Sequence, residues 1–153
     1  MPFFETKYFG NQEYREESVY EFPHGLPAFE SETRFVLMEQ PENKPLVFLQ
    51  SLSRPNLCFL ALPIGAIDQD YQLGISREDI EALDLVPERQ PQIGSEVLVL
   101  ALICLHDSFP PTANLMAPLV INLKTHRGMQ AIRQDSCYSH EHPIQPASAE
   151  GAC

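Results

Sequence analysis

Apolar residues come in short runs along this chain, and most runs end at a proline or a polar turn. Phe3–Phe9, Val19–Phe22, Arg34–Glu39, Leu46–Leu52, Cys58–Leu62, Glu96–Leu105, Leu119–Leu123 and Met129–Arg133 are rich in Val, Phe, Tyr, Ile and Leu. That composition fits a pleated, half-buried strand. Val97–Leu105 reads VLVLALICL, apolar at odd and even positions alike. With side chains alternating across a strand, such a segment is covered on both faces and belongs in the middle of a sheet. Leu119, Ile121 and Leu123 share one face, which predicts their burial. Gly128 is read as the left-handed residue of the hairpin loop Lys124–Gly128. Many short strands separated by turn residues predict an all-β sandwich or barrel.

One segment carries helix signals instead. Ser76 is an N-cap residue with Asp79 three positions on, and Ile75 and Ile80 stand at staple spacing around it. Glu78, Asp79 and Glu81 place negative charge at the positive end of the helix dipole. Leu83 extends the apolar stripe, and Pro87 follows the expected end near Asp84–Leu85. The prediction is one short helix at about 76–84.

Composition narrows the class. At 153 residues, with 44% hydrophobic and 20% charged, the chain matches one folded domain. The longest apolar run has nine residues, against roughly 20 for a membrane-spanning helix, so no membrane partner is expected. The opening MPFFETKYFG lacks the basic region and long apolar stretch of an export signal. Asp and Glu number 21 against 10 Lys and Arg, a formal charge of −11. That disfavours direct nucleic-acid binding, which needs a basic face. It suits either solubility or a basic protein partner. Cys58, Cys104, Cys137 and Cys153 form no Cys-x-x-Cys pair. Cys58 and Cys104 lie in apolar segments and are expected as unpaired, buried thiols of a reduced, cytoplasmic protein. The small, patternless residues 144–153 are expected to form a flexible C-terminal tail after a domain spanning 1–143.

No catalytic constellation stands out. There is no Gly-x-Ser-x-Gly, glycine-rich phosphate loop or His-Glu-x-x-His. His106, Asp107 and Ser108 are contiguous, whereas a triad needs the base between the other two side chains in space. Cys137, His140 and His142 are zinc-ligand types, but a fourth ligand would have to be Glu141 or His126, and the spacing fits no zinc pattern. Three classes therefore stand side by side: a protein-binding regulator, a small β-barrel enzyme using a carboxylate or His126 or His142, and a ligand- or metal-binding β module.

Longer signatures favour the first. Thr6-Lys-Tyr-Phe-Gly10 is followed by Phe22-Pro-His-Gly-Leu-Pro-Ala-Phe29, Arg34-Phe-Val-Leu37 and Leu49-Gln-Ser51. Later come Thr112-Ala-Asn-Leu-Met-Ala-Pro-Leu-Val-Ile-Asn122, Arg127-Gly-Met-Gln130, Tyr138 and His142-Pro143. In this order the segments resemble the flagellar assembly factor FliW family, from about Glu5 to Pro143. Ala28 stands where the family pattern has glycine. The resemblance implies an open, barrel-like β fold of short antiparallel strands with little helix. It implies no enzyme activity, cofactor or metal. It implies a cytoplasmic regulator that binds flagellin and antagonises the carbon storage regulator CsrA, an RNA-binding repressor of flagellin translation. Flagellin would occupy the protein until secretion frees it for CsrA.

Charge supplies candidate contact residues, because an RNA-binding repressor must carry basic surface. These are Glu39, Glu42, Asp68 and Asp70 in loops, Tyr71 beside them, and Glu78 and Asp79 at the helix start. Asn114 and Asn122 are expected to bond nearby backbone.

Overall fold

The computed structural model describes residues 2–144. The strands are β1 (Phe3–Thr6), β2 (Gly10–Glu13), β3 (Val19–Glu21), β4 (Arg34–Glu39), β5 (Val47–Ser51), β6 (Cys58–Pro63), β7 (Val97–Cys104), β8 (Thr112–Ala113), β9 (Leu119–Asn122), β10 (Gly128–Gln130) and β11 (His142–Pro143). The helix α1 spans Arg77–Ala82. The main sheet runs β10-β9-β7-β6-β5-β4-β3, all antiparallel, with β8 and β11 stacked beside the upper half of β7. The outermost strands curl toward each other and touch at a bridge between Glu21 and Arg127, where Glu21 N–H donates to the His126 carbonyl at 2.9 Å. The result is the expected mainly β, open-barrel architecture with one short helix.

β7 justifies its sequence. Val97, Val99 and Ala101 pack into one core with Ile64, Ile75, Ile80, Leu83 and Val120. Leu100, flanked by Leu98 and Leu102, packs into the barrel interior with Phe22, Phe35, Leu49 and Ile121. The two-faced apolar strand is thus the wall between two cores. A third cluster forms where hairpin β1–β2 lays Phe4 and Tyr14 over Val36 and Met38 of β4.

Several local expectations are corrected. β1 stops at Thr6, not Phe9, because the Thr6 hydroxyl accepts from Phe9 N–H and donates to the Gly10 carbonyl, closing a turn at 2.7 and 2.8 Å. β10 ends at Gln130, and beyond it Ala131 and Arg133 bond the Pro118 and Met116 carbonyls outside the strand pairing. Leu123 is exposed, since Asn122 ends β9. β2, β8 and β11 have no apolar alternation and are held by backbone pairing. Cys104 is exposed because it sits at the last residue of β7, while Cys58 is half-buried; both are free thiols. Of the expected tail, Ile144 is docked, bonding the Pro111 carbonyl and packing on the α1 core. Residues 145–153 lie outside the described residues.

The loop before β10 also turns differently. His126, not Gly128, takes the left-handed conformation (φ 62°). Gly128 is required for space: a Cβ there would lie 2.8 Å from Ile121 Cγ1 and 2.9 Å from Phe22 Cε1. Phe22 can therefore plug the barrel only beside a glycine. Beside it, Leu26 and Phe29 pair around the turn Pro27–Ala28, with Ala28 at φ 67°. Proline followed by a left-handed residue is a type II turn, whose second central position favours glycine.

Two variants test these turns. Ala28→Gly should stabilise the protein by about 0.5–1 kcal/mol, because glycine relieves the left-handed strain at some entropic cost. Gly128→Ala should destabilise it by about 1–3 kcal/mol through overpacking against Phe22 and Ile121. Urea unfolding of both variants beside the parent gives the two signs.

Candidate partner-binding surface

From Ile64 to Gln90 the chain leaves the sheet and builds a lobe over one face of β7. Ser76 caps α1 by accepting from Asp79 N–H at 3.1 Å. Ile75 and Ile80 on either side of the cap are buried in the same core, as the staple spacing predicts. Gln90 imitates a strand partner, its side-chain amide bonding both the N–H and carbonyl of Ile75 at 2.8 and 2.9 Å. Asp84, at φ 60°, stops the helix. Asn122 joins lobe to sheet: its Nδ2 donates to the Leu83 carbonyl at 2.7 Å, and its Oδ1 accepts from Lys124 and Thr125 N–H. Asn114 likewise accepts from Met116 and Ala117 N–H. Both asparagines do the local backbone work expected of them.

The lobe concentrates charge. Between Ile64 and Gln90 stand seven carboxylates, Asp68, Asp70, Glu78, Asp79, Glu81, Asp84 and Glu88, and two basic residues, Arg77 and Arg89. That is −5 of the chain's formal −11. All seven are exposed or half-exposed. Arg77 lies 3.8 Å from Glu81 and 3.2 Å from Glu88 on the open surface, where such pairs contribute little. The structure therefore gathers Asp68, Asp70, Glu78 and Asp79 on one lobe and adds Glu81, Asp84 and Glu88. Charge clustering along the sequence was the available signal for those three.

Other candidates fall elsewhere. Glu39 ends β4, and Glu42 lies in the short turn after it, with β5 and β6 intervening in the sheet before β7. Tyr71 is only 6% exposed, which removes it from the surface. Its hydroxyl donates to the Leu115 carbonyl at 2.6 Å and accepts from Arg133 Nη1 at 3.2 Å. Arg133, itself buried, grips Asp135 through two hydrogen bonds of 2.8 and 3.0 Å and also donates to the Gln72 carbonyl. Its guanidinium lies 4.7 Å from the centre of the Tyr138 ring. Tyr138 in turn accepts from Gln72 N–H at 3.3 Å. A Cβ at Gly74 would come within 2.8 Å of Arg133 Nη2, so glycine makes room for the guanidinium. Tyr71 thus belongs to a clamp that fastens the acidic lobe to the C-terminal segment. The hydrogen bonds from Arg133 and Cys137 N–H hold the Asp135 carboxyl down at about 2. Burial pushes the Tyr71 phenol up.

The remaining chemistry does not converge. His106 Nε2 lies 3.0 Å from Thr112 Oγ1, and its ring stacks on Phe109, so it serves the loop after β7. Among the described residues, no group of three or more His, Cys, Asp or Glu is placed to hold a metal ion. An open cleft of about 450 Å³ at the β3–β10 seam is lined by Glu16, Glu17, Glu21, Arg34, Lys124 and His126, with Glu16 paired to Arg34 at 2.8 Å. No helix among the described residues is long and apolar enough to cross a membrane.

Comparison with known proteins shows the family. The FliW protein family model matches residues 3–144. The chain belongs to the FliW family. It is 37% identical over 143 residues to the flagellar assembly factor FliW of Syntrophomonas wolfei, covering 92% of this chain and 88% of that one. It is 31% identical to the Bacillus subtilis factor of the same name, covering 91% and 94%. A FliW crystal structure superposes with a TM-score of 0.81 at 30% identity, covering 95% of this chain and 98% of the other. FliW proteins are flagellar assembly factors, and the open β fold is theirs.

The clamp makes a pH prediction. An Asp with a folded pKa of about 2 and an unfolded value of about 3.9 stabilises the fold above pH 4, and that contribution is lost as pH falls through about 2. The protein should lose melting temperature between pH 4 and pH 2. Asp135→Asn should melt lower at neutral pH and show a shallower acid decline. Thermal melts across that range would check it, and parallel curves for the two proteins would exclude the clamp as a source of acid sensitivity.

Proposed function

We propose that this chain is a cytoplasmic regulator that binds flagellin and antagonises the translational repressor CsrA, coupling flagellin synthesis to flagellin secretion. It works by binding and carries out no chemical transformation. Membership of the FliW family over nearly the whole chain supports the reading. The observation that carries the CsrA part is the acidic lobe, with seven carboxylates against Arg77 and Arg89 between Ile64 and Gln90. A repressor that binds RNA must present cationic groups to phosphates. An acidic protein surface competes for the same kind of contact and steers the encounter from a distance. Flagellin held before assembly has apolar faces that the filament later packs, and its association rests on burial of apolar surface. While flagellin is held, CsrA remains free to repress. When flagellin is exported, the regulator is released to take CsrA.

The two associations should differ in salt dependence. CsrA binding should weaken steeply with added salt, while flagellin binding should change little and show a negative heat-capacity change. Replacing Asp68, Asp70, Glu78 and Asp79 together by lysine should weaken CsrA binding by at least about tenfold. Calorimetric titrations at several salt concentrations separate the cases. Equal, shallow slopes for both partners would remove the electrostatic account, and unchanged CsrA affinity in the four-site variant would remove the lobe.

A further inference from the structure

The main sheet ends on a strand whose outer edge is open. β10 has β9 as its one strand partner among the described residues. Asn122 N–H donates to the Arg127 carbonyl at 2.8 Å, and Ala131 and Arg133 N–H donate to the Pro118 and Met116 carbonyls, both at 2.9 Å. Odd-numbered residues of this segment therefore turn their backbone groups toward β9 and its approach, and Gly128, Gln130 and Ile132 turn theirs outward. The barrel seam covers only the start of that edge, since its bridge joins Glu21 to Arg127. The chain after β3 bonds elsewhere, Phe22 N–H to the Thr33 carbonyl and Gly25 N–H to the Phe22 carbonyl. Between that turn and the edge lies a crevice of about 280 Å³, where His24, Leu26 and Pro27 face Gly128, Met129 and Gln130.

Natural sheets blunt an open edge with charge, proline or a bulge. Residues 128–132, GMQAI, hold neither charge nor proline, in a chain that is 20% charged. Met129 and Ala131 face the α1 core, so Ile132 shares the opposite face with Gly128, where a Cβ would point at Ile121 and Phe22. Ile132 stands 61% exposed on that face. These features match the edge to its own copy. Antiparallel pairing about a two-fold axis at Gln130 sets Gly128 of one protomer opposite the partner's Ile132, and the reverse. In that register the outward residues pair with one another, giving at least about four inter-strand hydrogen bonds. Opposed residues carry their side chains on one face, so each Ile132 lies over a glycine, beside the crevice. Shifting the register by two residues sets Ile132 against Gln130 in one direction and against His126 in the other. Residues 145–153, QPASAEGAC, offer no aromatic or branched apolar side chain for the same place.

We propose that this chain self-associates through β10, two copies pairing edge to edge about Gln130 with each Ile132 seated against the other copy's Gly128. Each copy carries −11, while the paired edges carry no charge. Long-range repulsion therefore opposes the dimer, and screening by salt strengthens it.

Sedimentation velocity over a range of concentrations should show a reversible monomer–dimer equilibrium that moves toward dimer with added salt. Site-resolved amide exchange should show the Gln130 and Ile132 N–H groups gaining protection as the dimer forms, with the amides of the acidic lobe unchanged. Ile132→Asp alters an exposed side chain, should keep the parent melting temperature, and should weaken the dimer by at least about tenfold. A chain that stays monomeric at every concentration and salt overturns the proposal. A dimer that Ile132→Asp leaves intact, or that leaves the Gln130 and Ile132 amides unprotected, overturns it by placing the contact on another surface. A dimer that salt dissociates overturns it by showing a charged contact.

Discussion

Burial of both faces of β7 is the constraint on which the rest of the structure depends. A strand of eight residues with no polar side chain has to be covered above and below. One cover is the barrel interior, and the other is the lobe carrying α1. Each cover determines a different part of the molecule. The interior demands that β3 and β10 approach closely enough for Phe22 to pack on Ile121, which only Gly128 permits. The lobe demands an excursion of chain long enough to bury Ile64, Ile75, Ile80 and Leu83 while keeping its carboxylates in water.

The lobe is held by polar contacts as well as apolar ones. Asn122 ties the end of α1 to β9, and Arg133 ties Tyr71 and Gln72 to the segment after β10. A buried guanidinium is tolerated because its hydrogen-bonding groups meet a carboxylate, a phenol and a carbonyl, and its face meets the Tyr138 ring. A loosely attached acidic segment would present a mobile cloud of charge, whereas the clamp fixes a surface of defined shape. Tyr71 supports the acidic lobe from beneath.

Much of the fold was legible because period-two alternation and caps are local signals. The two-sided apolar run marked β7, and Ser76 with Ile75 and Ile80 marked the start of α1. Errors arose where a residue's role is decided by distant neighbours. Gly128 reads as a turn residue in its own loop but is needed for Phe22, about a hundred positions earlier in the chain. Cys104 reads as core from its apolar neighbours but lies exposed at the last residue of β7. Tyr71 reads as an interface aromatic beside Asp70 but is claimed by Arg133. Of the candidate surface, charge along the sequence located the acidic lobe. The pocket lined by Tyr8, Phe48, Leu60 and Leu105 was invisible, since these come from four separate segments and meet only when the sheet forms.

The central claim is the proposal that one small β protein serves two partners in turn. The direct measurement is the affinity of CsrA for the free protein and for the protein saturated with monomeric flagellin, titrated under the same salt and pH. The account predicts that saturation lowers CsrA affinity by at least about tenfold, and by linkage that CsrA lowers flagellin affinity by the same factor. A ternary complex in which each partner binds as tightly as it does alone would contradict it.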